Sequence, residues 1–111
     1  MLEQTRRATI ARLNDHLRST GEDGWILLSR GVAVLSIATK DEVIRAVRLF
    51  EDFTPENDPH EEYDCAVLTV CGHGIIWKID YHPRDRSVAD ADPANPATTK
   101  RVMTIMLASH G

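Results

Sequence analysis

Apolar residues recur along the chain with two different periods, and the switches between them mark out elements. From Leu2 to Ser19, Ile10, Leu13 and Leu17 stand at helical spacing, while Arg6, Arg7, Arg12 and Arg18 fall mostly off that stripe. This predicts a first helix with a solvated basic face. The cluster Thr20-Gly21-Glu22-Asp23-Gly24 stops it, with Gly21 as the C-terminal cap. Trp25 to Leu28 and Val32 to Ile37 are short β-rich runs separated by Ser29-Arg30-Gly31, which reads as a first hairpin. Thr39 and Glu42 then form a capping box, and Val43, Ile44, Val47 and Phe50 carry a second helix to near Phe53.

Thr54 to Glu62 is a loop by composition. Tyr63 to Val70 is a predicted third strand, turned through Gly72-His73-Gly74 into a fourth from Ile75 to Tyr81. On that fourth strand Ile75, Trp77, Ile79 and Tyr81 alternate with Lys78, Asp80 and His82, the pattern of a half-buried strand. Its low charge before Lys78 places it inside the sheet rather than at an edge. A long connection follows from Pro83 to Asn95, holding Arg84, Asp85, Arg86, Asp90 and Asp92. Asn95-Pro96 has the form of an N-cap with proline at the first helical position, opening a last helix through Val102, Ile105, Met106 and Ser109 that frays at His110-Gly111. The order α-β-β-α-β-β-α predicts an α+β fold, a four-stranded antiparallel sheet with helices packed mainly on one face.

At 111 residues this is one domain, 1–111, with a modest core. Its 42% hydrophobic and 27% charged residues are those of a folded chain. A formal net charge of −4 argues against a general nucleic-acid binder, leaving only the arginines of the first helix as a possible phosphate contact. No apolar run reaches the roughly 20 residues of a membrane helix, and arginines interrupt any signal-peptide core, so a cytoplasmic protein is expected. Cys65 and Cys71 lie about 20 Å apart if one strand carries both, too far for a disulfide.

Two kinds of chemistry remain. Imidazole and carboxylate groups serve as metal ligands or as an acid and base pair, and Asp58, His60, Asp80 and His82 are the candidates, with Asp85 or Asp92 in support. Of these, His60, Asp80 and His82 are the ligands the pattern offers to a metal, although no metal or cofactor is expected. The competing reading makes Asp58-Pro59 and Asp92-Pro93 turn-fixing pairs, whose carboxylates accept from amides a few residues on. The second kind is recognition. Glu51, Asp52, Glu56, Asp58, Glu61, Glu62 and Asp64 form an acidic stretch without a lysine or arginine, which suits a surface that binds another protein. Trp77 and Tyr81 read as core, and no serine or cysteine has the setting of a nucleophile. The residue order does not decide the oligomeric state.

Asn57-Asp58-Pro59-His60, Trp77-Lys78-Ile79-Asp80-Tyr81, Asp92-Pro93-Ala94-Asn95-Pro96 and Arg101 to Ala108, with Ile10 to Asp15 and Gly31-Val32, resemble the family called domain of unknown function 3768. The resemblance implies a small bacterial protein often encoded near plasmid and mobile-element genes. With the acidic surface, the expectation is a non-enzymatic module that binds another protein through the loop-rich end of its sheet; the resemblance implies a partner in a host defence or plasmid-maintenance system, for example as an anti-CRISPR or anti-restriction factor. The alternative is a small metal-assisted or acid–base enzyme using the Asp/His set. Where the family commonly reads Gly-Glu-His-Asp-Phe-Gly, this chain has Glu61-Glu62-Tyr63-Asp64-Cys65-Ala66, so no role of the family histidine passes to Tyr63.

Overall fold

A computed structural model of the chain describes residues 2–85 and 91–109. The elements run α1 (Leu2–Thr20), β1 (Trp25–Leu28), α2 (Arg30–Ala33), α3 (Ile37–Arg48), β2 (Cys65–Val70), β3 (His73–Pro83) and β4 (Thr99–Leu107). The fold is α+β, with four strands in the order β1-β4-β3-β2. The sheet is mixed: β2, β3 and β4 pair antiparallel, but β1 lies parallel to β4.

Three expectations are borne out by local physics. Helix α1 ends where Gly21, at φ 77°, donates its amide to the Leu17 carbonyl at 2.8 Å. Helix α3 buries Val43 and Val47 but ends at Arg48, short of the expected Phe53, and Phe50 lies beyond it with its amide donating to the Val47 carbonyl at 3.3 Å. The β2–β3 hairpin forms with β3 interior, although its turn is Cys71-Gly72, both at positive φ, and His73 and Gly74 already belong to the strand. A two-residue turn with that backbone matches the twist of the flanking strands.

Three expectations are overturned. Val32 to Ile37 is not a strand, so there is no first hairpin. Ser29 caps the short α2, and Ser36, rather than Thr39, caps α3, its Oγ accepting from the Thr39 amide at 3.1 Å. Serine oxygens placed just ahead of each run outcompete the β-branched content of only a few residues. The last helix is likewise a strand. Asn95 Oδ1 accepts from the Ala97 amide at 3.0 Å, making a turn around Pro96 instead of a helix cap, and Thr98 leads into β4. Strand β4 carries apolar residues on both faces, Met103 and Ile105 toward the helices and Val102 and Met106 on the other side, so it loses the period of 2 and mimics a buried helix. The expected fraying at His110-Gly111 lies outside the described residues.

The helices cover one face of the sheet. Ile26, Leu28, Ala66, Leu68, Val70, Ile75, Trp77, Ile79, Met103 and Ile105 point to that side and pack with Leu17, Val32, Val43 and Val47. Arg18, expected among the solvated arginines, is only 2% exposed. Its Nη1 donates to the carbonyls of Val47 (3.2 Å), Arg48 (3.2 Å) and Phe50 (2.8 Å), at and just past the end of α3, while Nη2 pairs with Asp15. The guanidinium also lies over the rings of Phe53 and Trp77, 5.4 and 5.6 Å from their centres.

Removing this cap leaves three carbonyls without their charged donor. Arg18→Met should cost about 3 kcal/mol in urea unfolding, and Arg18→Lys should recover less than half of that, because an ammonium lacks the planar fork. A loss under about 1 kcal/mol for Arg18→Met would show that α1 and α3 are joined by apolar packing alone.

Candidate functional site

Opposite the helices the sheet presents a second face. Strand alternation and register place its residues in rows across β4, β3 and β2, with β1 alongside. One row runs Met106, Ile76, Val67; the next runs Leu27, Thr104, Lys78, Cys65; the third runs Trp25, Val102, Asp80; the last pairs Lys100 with His82. None of these side chains belongs to the core beneath the helices. Trp25, Leu27 and Val67 are 57%, 52% and 61% exposed. An apolar field thus lies beside a polar margin of Lys78, Asp80, Lys100 and His82, with Lys78 Nζ 3.6 Å from Asp80 Oδ2 and Lys100 Nζ 5.2 Å from the centre of the Trp25 ring.

The predicted Asp/His set is divided between the two sides of the sheet. Asp80 and His82 lie on the open face. Asp58 is buried on the helix side, beside a groove of about 470 Å³ between α1 and the loop that carries Phe53 and Tyr63. His60 is exposed on the same loop. Among the described residues no three His, Cys, Asp or Glu side chains converge as metal ligands. Asp92 pairs with Arg6 at 2.8 Å, and Asp90 lies outside the described residues.

Asp58 and Asp92 instead fix loops. Asp58 Oδ1 accepts from the Tyr63 amide at 3.1 Å, and Asp92 Oδ1 accepts from the Ala94 amide at 3.0 Å. The first bond offsets strain, since Glu61 and Tyr63 both hold positive φ, at 58° and 55°. Tyr63 then stacks on Phe53 with ring centres 4.1 Å apart. Burial pushes the Asp58 carboxyl above its ordinary value of 3.8, against the lowering effect of the Tyr63 amide. The Ala94 amide and then Arg6 hold Asp92 below the same value.

The acidic stretch also divides. Glu51, Asp52, Glu56 and Glu61 are exposed and Asp64 half-buried, whereas Asp58 is buried and Glu62 is engaged in a network. Asn14 of α1, fully buried, donates to the Glu62 carbonyl at 3.0 Å and to Tyr81 Oη at 2.8 Å, and accepts from Arg101 Nε at 2.8 Å. Tyr81 Oη in turn donates to Glu62 Oε1 at 3.3 Å, and burial raises the Tyr81 pKa. The hydrophobic pattern gives no sign that Asn14 and Arg101 are buried, because a lone polar residue within an amphipathic run reads as surface; only their place in the family-like segments marks them.

With this geometry in place, the family can be stated. A family model described as a protein of unknown function, DUF3768, matches residues 28–110. The chain belongs to the DUF3768 family. The DUF3768 match takes in α2, α3 and strands β2 to β4, and thus most of the open face; Asn14, Arg18, Trp25 and Leu27 precede it. No curated protein and no solved structure matches the chain.

The Asp58 environment has a pH signature. The folded protein holds the Asp58 proton more tightly than the unfolded chain, so its contribution to stability is greatest below pH 3.8 and falls as pH rises through the interval up to the raised value. Asp58→Asn keeps an acceptor for Tyr63 and removes the ionisation. Urea unfolding between pH 3.5 and about 6 should therefore show the variant gaining on the parent with rising pH. A constant difference across that range would mean that Asp58 ionises as freely folded as unfolded.

Proposed function

We propose that the protein is a non-enzymatic interaction module that docks another protein on the open face of its sheet. The observation that carries this is the contiguity of Trp25, Leu27 and Val67 with Ile76, Val102 and Met106, an apolar field with three large side chains more than half exposed. Covering what remains exposed of each of the three gains about 1 kcal/mol. Lys78, Asp80 and His82 of β3 and Lys100 of β4 border the apolar field on one side, so the face offers charged contacts beside apolar ones. The exposed carboxylates Glu51, Asp52, Glu56 and Glu61, with Asp64, add an acidic surface that would steer a basic partner. The family resemblance would place that partner in a host defence or plasmid-maintenance system.

The second reading, a small acid–base or metal-assisted enzyme, draws its support from Asp58, a carboxyl with a raised pKa beside a groove. It lacks a histidine along that groove among the described residues, and Asp80 and His82 lie across the sheet.

The test is affinity capture with a Leu27→Glu, Val67→Glu double variant. Both positions are exposed, so unfolding free energy should change by no more than about 1 kcal/mol while partner recovery falls at least tenfold. Undiminished recovery of the same partner would move the interface off the sheet. Charge reversal at Glu51, Asp52 and Glu56 should weaken recovery and reduce its salt dependence.

A further inference from the structure

Positive charge gathers at one corner of this acidic protein, where β4 begins. A cavity of about 260 Å³ is bordered by His16, Asp23, Arg84, Thr99 and Arg101, and it adjoins a groove of about 280 Å³ where Trp25 and Lys100 meet the same two arginines. Each alone is small; joined, they reach the size range of small-ligand sites.

Arg101 is 3% exposed, yet none of its direct contacts is a carboxylate among the described residues. Nε donates to the neutral Asn14 amide oxygen, Nη2 donates to the Pro93 carbonyl, and the guanidinium lies 5.3 Å from the centre of the Tyr81 ring. Arg84 is held nearby by two bonds, its Nε to the Pro96 carbonyl at 2.8 Å and its amide to the Thr98 carbonyl at 3.0 Å. Burial is the main cost to protonated Arg101; Glu62 offsets part of it, the charge of Arg84 adds to it, and Asp92 offsets it more weakly. The one carboxylate on the cavity wall, Asp23, is turned to His16, with Oδ2 3.0 Å from Nε2. A buried guanidinium with no carboxylate in direct hydrogen-bond contact keeps donors to offer, and two arginines on one cavity wall match pairs of oxygens of a tetrahedral oxyanion.

We propose that this corner binds a small phosphate group, free or as a monoester, between Arg84 and Arg101 with Lys100 at the mouth. Arg101 supplies fixed donors because Asn14 and Pro93 already orient its fork. Arg84 is exposed and completes the clamp from the loop side. The adjoining groove, with the Trp25 ring and Lys100, has room for the organic part of a monoester.

Calorimetric titration with inorganic phosphate and, separately, glycerol 3-phosphate tests this, with chloride added to hold ionic strength constant. Saturable one-to-one binding of either probe is expected in the parent. Arg84→Ala should weaken it at least tenfold while circular dichroism stays unchanged, and Lys78→Ala, on the open face, should leave it intact. Tighter binding of glycerol 3-phosphate than of phosphate would assign the groove to the ester's organic part, and equal binding would restrict recognition to the phosphate. Absence of saturable binding in the parent, or equal affinity in Arg84→Ala, would overturn the proposal.

Discussion

A single buried guanidinium joins the helices to the sheet. Arg18 reaches from α1 across the end of α3, where it donates to the carbonyls of Val47, Arg48 and Phe50 and lays its flat face near Phe53 and Trp77. Fixing α1 in this way sets where Asn14, one turn earlier, meets Tyr81, Glu62 and Arg101. That contact positions both proline-marked loops, one through Glu62 and the other through the Arg101 bond to Pro93. The polar corner of the molecule is therefore a consequence of how the helices dock.

The same docking leaves the sheet covered on one side. Two long helices and a short one suffice for one face of four strands, and the connection through α2 and α3 returns the chain to the far edge, so that β4 can insert between β1 and β3. Antiparallel sheets commonly face water on one side, but they then alternate apolar-in with polar-out. Here the alternation fails at Trp25, Leu27, Val67, Ile76 and Met106, whose side chains all project from the uncovered face. Apolar residues retained on a solvated sheet face are what an interaction surface needs and what folding alone does not.

Legibility in the sequence followed periodicity. Helices α1 and α3 and the β2–β3 hairpin were readable because each has one buried and one solvated side, and Trp77 was correctly read as core. Strand β4 looks helical in the sequence because it carries apolar residues on both faces and has little alternation to display. The parallel pairing of β1 with β4 is a long-range event that four residues cannot announce. The candidate chemistry was partly legible as loop chemistry: Asp58 and Asp92 accept the amide bonds that an aspartate before proline invites. The gathering of Asp58, His60, Asp80 and His82 was not realised, since neighbours in a strand-and-loop sequence can end on opposite sides of a sheet. Arg18, Asn14 and Arg101 look like surface in the sequence for one shared reason: each is a polar residue whose burial depends on contacts with distant parts of the chain.

The exposure of the open face can be measured directly, because the chain has two tryptophans, one on each side of the sheet. Acrylamide quenching of the free protein at micromolar concentration should resolve an accessible emission from Trp25 and a protected one from Trp77, and Trp25→Phe should remove the accessible class alone. A bound partner should then protect Trp25. Two protected tryptophans in the free, monomeric protein would contradict the open face and, with it, the docking surface proposed for it.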